Sequence, residues 1–332
     1  MKLLHPYILF FLLFPFVIQA QLGKETQHWH FGQHSSLDFT NGTPVYGTSA
    51  INTVEGCATI SDPNTGQLLF YSDGDTVWDR NNNKMPNGVG LIGGGTTSTQ
   101  AATIVPKPGS SNIYYLITAD QGFFYEPNQG VFYSIIDMNL NGGLGDVSAK
   151  NILLTPSPTT ERVVAIKHCN DVDYWILTHS YGSNNFNAYQ VTSSGITTNP
   201  IVSSVGTIEK DTCCSQGSSV GCLKASPNGK KLGLSISIYV PTPLFEIYDF
   251  DNSTGQVSNP ITIPITTNSN YGGPYSCSFS PDNSKVYVTC EYVSMVQFDL
   301  SSGIPSTIIS SQTVIGPPSW GDLRWQQMEK YM

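Results

Sequence analysis

The chain of 332 residues carries 24 acidic against 15 basic side chains, a net charge of −9, and only 12% of its residues are charged. No run of Lys and Arg occurs, so the sequence offers no electrostatic footprint for a phosphate backbone or an anionic membrane surface, and nucleic acid is disfavoured as a partner. Hydrophobic residues make up 39%, with 31 Gly, 21 Pro and 17 Tyr, a composition that suits many short strands joined by turns and disfavours long helices.

The first twenty residues, "MKLLHPYILFFLLFPFVIQA", place Lys2 before an apolar stretch from Tyr7 to Ile18, with small Ala20 ahead of a polar segment. The stretch is short for a bilayer span and has the three-part layout of a secretory signal, so residues 1–20 are expected to direct export, leaving no membrane span after cleavage. A secreted or cell-surface address follows.

Residues 21–54 contain "HWHFGQHSSLDF", the candidate for a strand that closes a ring. Beyond them one arrangement recurs: an apolar strand, a tight turn, a second apolar strand, and a third ending in aromatic and acidic residues. The turns at Asp62, Pro108, Asn170, Pro227 and Pro281 recur about every fifty residues, the period of four-stranded propeller blades that bury their faces only by stacking on neighbours. The pattern predicts an all-β propeller of the YVTN/WD40-like kind with five blades over residues 55–315. A pair of β-sandwiches is the rival architecture, but sandwiches do not repeat one turn chemistry at this interval.

Residues 316–332 break the pattern. Translated back and read one base earlier, the end of "WGDLRWQQMEKYM" admits "MATDGKIY" after Arg324, which matches the turns of "CLKASPNGKKLG" and "CSFSPDNSKVYVTC". A sixth blade is therefore expected to begin here and to be frameshifted after Arg324, truncating a seven-bladed parent. On this reading Trp29, Phe31 and Phe39 lack their partner sheet.

The stretches "WHFGQHSSLDF", "EGCATISD", "LLFYSDGDTVWDRNNNKMPNG", "STQAATIVPKPGSSNIYYLIT", "MNLNGGLGDV" and "DYWILTH" resemble the N-terminal propeller region of large secreted proteins of gliding-type Gram-negative bacteria. The resemblance runs from Trp29 to Arg324 and implies a propeller at an extracellular or cell-surface address. In that family PKD-like modules and a C-terminal domain for type IX secretion or gliding motility commonly follow. The family brings no catalytic residues to carry over, and this chain departs from it in lacking the sorting domain and in its "DTCCSQGSSVGC" insert.

Candidates for chemistry are sparse. His168 and His179 flank a hairpin with Asp171 and Asp173 in its turn; as a metal site they need further converging ligands, and structural histidines are the expectation. His28 and His30 alternate onto one strand face, a spacing that can ligate zinc or copper, with His34 nearby; a solvated strand end is the simpler reading. Asp73, Asp75 and Asp79 suggest calcium or a carboxylate pair, yet lack the order of a calcium loop, and Asp73-Gly74 reads as a hairpin turn. The Gly-rich "LIGGGTTSTQ" has no Lys-Ser/Thr to close a phosphate cradle, and no Gly-x-Ser-x-Gly elbow occurs.

Seven cysteines, Cys57, Cys169, Cys213, Cys214, Cys222, Cys277 and Cys290, match no zinc spacing. Cys277 and Cys290 fall on one strand face as a cross-strand disulfide or two buried thiols; Cys222 either bonds to Cys213 or Cys214, or stays free.

The leading expectation is a secreted binding or scaffold module for a polysaccharide or another surface protein, without cofactor, calcium being the one ion the carboxylates suggest. Exposed aromatics are its expected contacts, with Trp78 and Tyr271 as candidates, although Trp78 also suits a core strand. The alternative is an extracellular carbohydrate-active enzyme, a polysaccharide lyase or glycoside hydrolase, because propellers host both.

Overall fold

A computed structural model describes residues 23–94, 97–122, 128–209, 217–236, 244–265, 273–290 and 294–317. Six antiparallel sheets follow one another along the chain. The first has three strands: β1 (His28–Phe31), β2 (Gln33–Asp38) and β3 (Val45–Asn52). The second holds β4 (Ala58–Ser61), β5 (Leu68–Ser72), β6 (Thr76–Asp79) and β7 (Lys84–Val89). The third holds β8 (Ala102–Pro106), β9 (Ile113–Ala119), β10 (Gly130–Asp137) and β11 (Asp146–Pro156).

The fourth consists of β12 (Thr159–Lys167), β13 (Tyr174–Ser180) and β14 (Asn185–Thr192), with β15 (Gly195–Ile196) and β16 (Ile201–Ser204) both paired to β14. The fifth is β17 (Leu223–Ala225), β18 (Lys231–Ile236), β19 (Leu244–Asp251) and β20 (Gln256–Pro264). The sixth is β21 (Pro274–Phe279), β22 (Lys285–Cys290), β23 (Ser294–Asp299) and β24 (Thr313–Gly316), with a single helical turn, α1 (Pro305–Ser310), before its last strand. Among the described residues no helix is long and apolar enough to cross a membrane.

The recurring turns of the sequence join the first two strands of the second to sixth sheets. Their residues explain the tight reversal. In 62–67, Asp62 Oδ1 accepts from the backbone N–H of Asn64 and Thr65 while Gly66 takes φ +79°; in 280–285, Ser280 Oγ and Asp282 Oδ1 accept from Lys285 N and Ser284 N. Short polar side chains thus satisfy the turn amides locally.

Five apolar clusters lie between consecutive sheets. Ile51, Leu68, Tyr71 and Trp78 join the first to the second; Phe70, Met85, Leu116 and Ile136 join the second to the third. Ile117, Val131, Ile176 and Tyr189 fill the next junction. Trp175, Phe186, Leu234 and Phe250 fill the fourth, and Phe245, Ile263, Val288 and Phe298 the fifth. Each inner sheet is apolar on both faces and cannot shelter them alone, which is why the sheets stack in series like blades. This is the expected β-propeller, and the sandwich reading, which needs one core between two layers, fails.

The blade count is corrected. Residues 28–52 do not supply a lone closing strand; they form a three-stranded sheet, so six blades are present among the described residues. In the other five the first strand lies nearest the axis, and the starts of β8, β12 and β17 meet through Gln100, whose side chain bonds Leu223 and Val163. β1 runs against that direction: Glu25 O receives Ser61 N, while His30 N reaches Thr59 Oγ1 further up β4. It has the sense of a second strand, so among the described residues the first sheet lacks the axial strand of its neighbours. The expected start of a further blade and the frameshift after Arg324 lie outside the described residues.

Candidate functional site at the axial mouth

The mouth where the axial strands begin is built on buried charge. Glu161 and Arg162 sit side by side in β12, 1% and 0% exposed. Glu161 Oε2 accepts from Thr99 N (2.8 Å) and Thr99 Oγ1 (2.7 Å), and Oε1 from Gly122 N (2.5 Å). Burial raises its pKa above the usual carboxylate range, and those hydrogen bonds together with Arg162 oppose the shift.

Arg162, the next residue, points to the opposite face of the sheet. Its Nη2 donates to the carbonyls of Ser218 (2.9 Å), Val220 (2.6 Å) and Ser235 (2.7 Å), its Nε to Ser235 O (3.1 Å), and its Nη1 to Glu209. One planar guanidinium therefore ties the connection before β17 to β12 and β18. His179 Nδ1 lies 3.5 Å from Glu209 Oε1, and Phe186 packs edge-on against its ring at 4.7 Å. Burial, then Arg162, depress its pKa to about 3, so this imidazole is neutral. Glu246, also buried, accepts from Thr207, Thr262 and Tyr248. These groups hold loops in place; none faces open space.

Beside them, along the β1 edge of the first sheet, is a cavity of about 510 Å³. Trp29, Phe31 and Leu37 form its apolar wall; Glu55, Lys224 and Tyr275 bring polar groups to it. Phe31 is 37% exposed, although Trp29 is steadied by Phe39 at 5.0 Å. Burial, followed by Glu55 and Cys222, raises the Tyr275 phenol well above its usual range, so its hydroxyl stays protonated. An aromatic wall with a few hydrogen-bonding groups suits a ligand carrying both apolar faces and hydroxyls.

The residues singled out from sequence fall elsewhere. Trp78 is 7% exposed and stacked on Tyr71 at 5.4 Å, inside the core between the first and second sheets rather than at the mouth. Tyr271 lies outside the described residues. His168 and His179 stand at opposite ends of β13 and do not converge. The reading of His28 and His30 as a solvated strand end is corrected: that face turns onto the second sheet. His30 stacks on Tyr71 at 4.2 Å and meets Ser49 Oγ at 3.0 Å; His28 meets Ser61 Oγ and Asp38. His34, at φ +59°, reaches Ser49 O.

Asp73 Oδ1 accepts from Asp75 N and Thr76 N, and Asp79 Oδ1 from Asn81 N and Asn83 N, so both carboxylates shape hairpins. Among the described residues no group of three or more His, Cys, Asp or Glu is placed to hold a metal. Among the described residues Cys57, Cys169, Cys222, Cys277 and Cys290 form no disulfide. Cys277 stands opposite Val288 and Cys290 opposite Pro274, too far apart along the hairpin for a bond. Cys213 and Cys214 lie outside the described residues.

Glu161, Arg162, Gln100, Glu209, Glu55 and Tyr275 were not singled out from the sequence. One signal was available: "TTERVVAIK" places two opposite charges inside an apolar strand, which only a buried, paired role permits.

Six radial sheets with an aromatic cavity at one mouth define the class of the protein as a β-propeller. No family model matches the sequence, and no curated protein matches it. Among solved structures it is similar to a protein of Bacteroides uniformis provisionally assigned as a 6-phosphogluconolactonase, at 13% identity and TM-score 0.47, over 86% of this chain and 79% of that one. A Lactobacillus plantarum protein is similar at 14% identity and TM-score 0.46, over 90% and 81%, and Kluyveromyces lactis Hsv2 at 8% and 0.45, over 84% and 72%. At these values nothing of the chemistry of those proteins carries over.

Proposed function

We propose that the protein is an exported binding module that holds a polysaccharide segment at the axial mouth. The observation that carries this reading is the division of labour there. The carboxylates and the guanidinium nearest the axis are sealed and spent on loop anchoring, while the accessible wall is Trp29, Phe31 and Tyr275. Aromatic faces stack on the C–H surfaces of sugars, and Glu55, Lys224 and the Tyr275 hydroxyl supply hydrogen bonds to their hydroxyls. The layout of residues 1–20 supports export, and a scaffold role toward another surface protein would use the same mouth.

A glycan-array screen followed by titration of a hit against the Trp29→Ala variant tests this. Saturable binding lost in the variant supports the reading; a hit bound equally by Trp29→Ala overturns the placement. The second reading, a carbohydrate-active enzyme, is favoured by Glu55 beside Tyr275, though a phenol pushed up by burial is a poor base. A reducing-sugar and unsaturated-product assay on the same glycans separates the two.

A further inference from the structure

The face of the first sheet that turns away from the second differs from the faces at the blade junctions. Pairing sets His30, Ser36 and Gly47 in one row across β1, β2 and β3, and His30 stacks on Tyr71, so that row looks onto the second sheet. The adjacent row, in which Trp29 stands opposite Leu37 and Leu37 opposite Tyr46, therefore lies on the other face. Phe31, Ser35 and Thr48 form a parallel row beside it on that same face.

The two rows hold three aromatic rings, one leucine and two hydroxyls, and no charged side chain. None of these residues belongs to the five apolar clusters that join neighbouring sheets, which are built mainly from aliphatic side chains and Phe. Tyr46 is 70% exposed, and Phe31 and Thr48 are exposed with it. Trp29, Phe31 and Leu37 already line the cavity at the axial mouth, and Tyr46 continues their row outward by one strand. Two strand spacings, about 10 Å, separate Trp29 from Tyr46 along it.

We propose that this row extends the axial-mouth site across the open face of the first sheet, so that mouth and row together take an extended stretch of a linear, uncharged polysaccharide rather than a single terminal sugar; the inference rests on the reading of the mouth as a sugar site. Rings spaced along a flat sheet stack on successive sugars of one chain, and the hydroxyls of Tyr46 and Thr48 reach the sugar edges. Tyr46 leaves its end of the row open, so a chain continues past it instead of ending in a closed pocket. Rows without charge, on a molecule of net charge −9, give no attraction to an acidic polysaccharide. Another sheet would need the dense aliphatic surface of the blade junctions, which Ser35 and Thr48 interrupt.

The test is calorimetric titration of the protein with the disaccharides and hexasaccharides of the cello, xylo, manno and laminari series and with an alginate hexasaccharide. At least one neutral hexasaccharide is expected to bind about tenfold more tightly than its own disaccharide. Tyr46→Ala, at an exposed position, is expected to abolish that gain with the disaccharide affinity and the melting temperature unchanged, while Tyr46→Phe keeps most of it. Equal affinity for the two lengths, a hexasaccharide indifferent to Tyr46→Ala, or alginate bound more tightly than every neutral chain would overturn the proposal, even where disaccharide binding lost in Trp29→Ala upholds the mouth. Binding of no probe at all would overturn the reading of the mouth as well. Self-association that Tyr46→Ala abolishes in sedimentation velocity would assign the row to a second copy of the chain and overturn the proposal alone.

Discussion

Arg162 and Glu209 form an ion pair with no solvent exposure on either side chain, and the guanidinium spends its remaining donors on three backbone carbonyls. Taking both charges out of water is costly, and the pair is tolerable because each guanidinium nitrogen finds an acceptor. Removing one partner leaves the other charge buried. Arg162→Met is therefore expected to destabilise the fold by about 3–5 kcal/mol in urea unfolding, whereas Arg162→Met/Glu209→Met should recover part of that loss. A cost under about 1 kcal/mol for the single variant would remove the pair from any structural role.

Gln100 acts as a staple for three blades. Its amide accepts from Leu223 N at 2.8 Å and Val163 N at 3.3 Å and donates to Leu223 O at 3.1 Å. Gln100→Ala strands these backbone groups near the axis and should cost about 1–3 kcal/mol. Glu at this position keeps the acceptor but loses the donor, so Gln100→Glu should also be destabilised. Wild-type stability in both variants would mean that water replaces the side chain.

Two buried histidines make the protein acid-sensitive. Burial holds His30 at about 4 and His179 at about 3, against 6.5 for both when unfolded. Between pH 6.5 and these values the unfolded chain binds more protons than the folded one, so stability rises with pH there and is lost as pH falls through the window. The melting temperature is expected to be flat above about pH 7 and to drop from pH 6.5 toward 4. His30→Gln should flatten that slope; an unaltered slope would show that the imidazole is solvated.

The aromatic wall of the mouth predicts a spectroscopic signature. Trp29 lines the cavity while Trp78 and Trp175 are buried in clusters. Acrylamide quenching of tryptophan emission should fall on glycan binding in the wild type and stay constant in Trp29→Phe, with Phe70→Ala as a fold control that loses about 3–5 kcal/mol without touching the mouth. Quenching that ignores the ligand would place the sugar elsewhere.

Much of the architecture was legible in the chain because propeller blades are local objects. A strand, a turn such as Ser226-Pro227-Asn228-Gly229 and a second strand are set by neighbours in sequence, so the second to sixth sheets and their turns could be read from a period of about fifty residues. The first sheet was misread as one strand because its reversal at Gly32 is too short to look like the other turns. The face of His28 and His30 was misassigned for a related reason. Period-2 alternation says which residues share a face, but not which face the next sheet covers.

The sequence by itself determined the class of structure, the repeat and the short-range turn chemistry, all of which depend on residues within one blade. Only the tertiary structure decided the sites. Glu161, Thr99 and Gly122, or Gln100 and Leu223, lie far apart along the chain and meet because the blades turn their axial ends toward one axis. No pattern of spacing encodes that convergence, since it is the packing of apolar faces between successive sheets that brings the polar ends together.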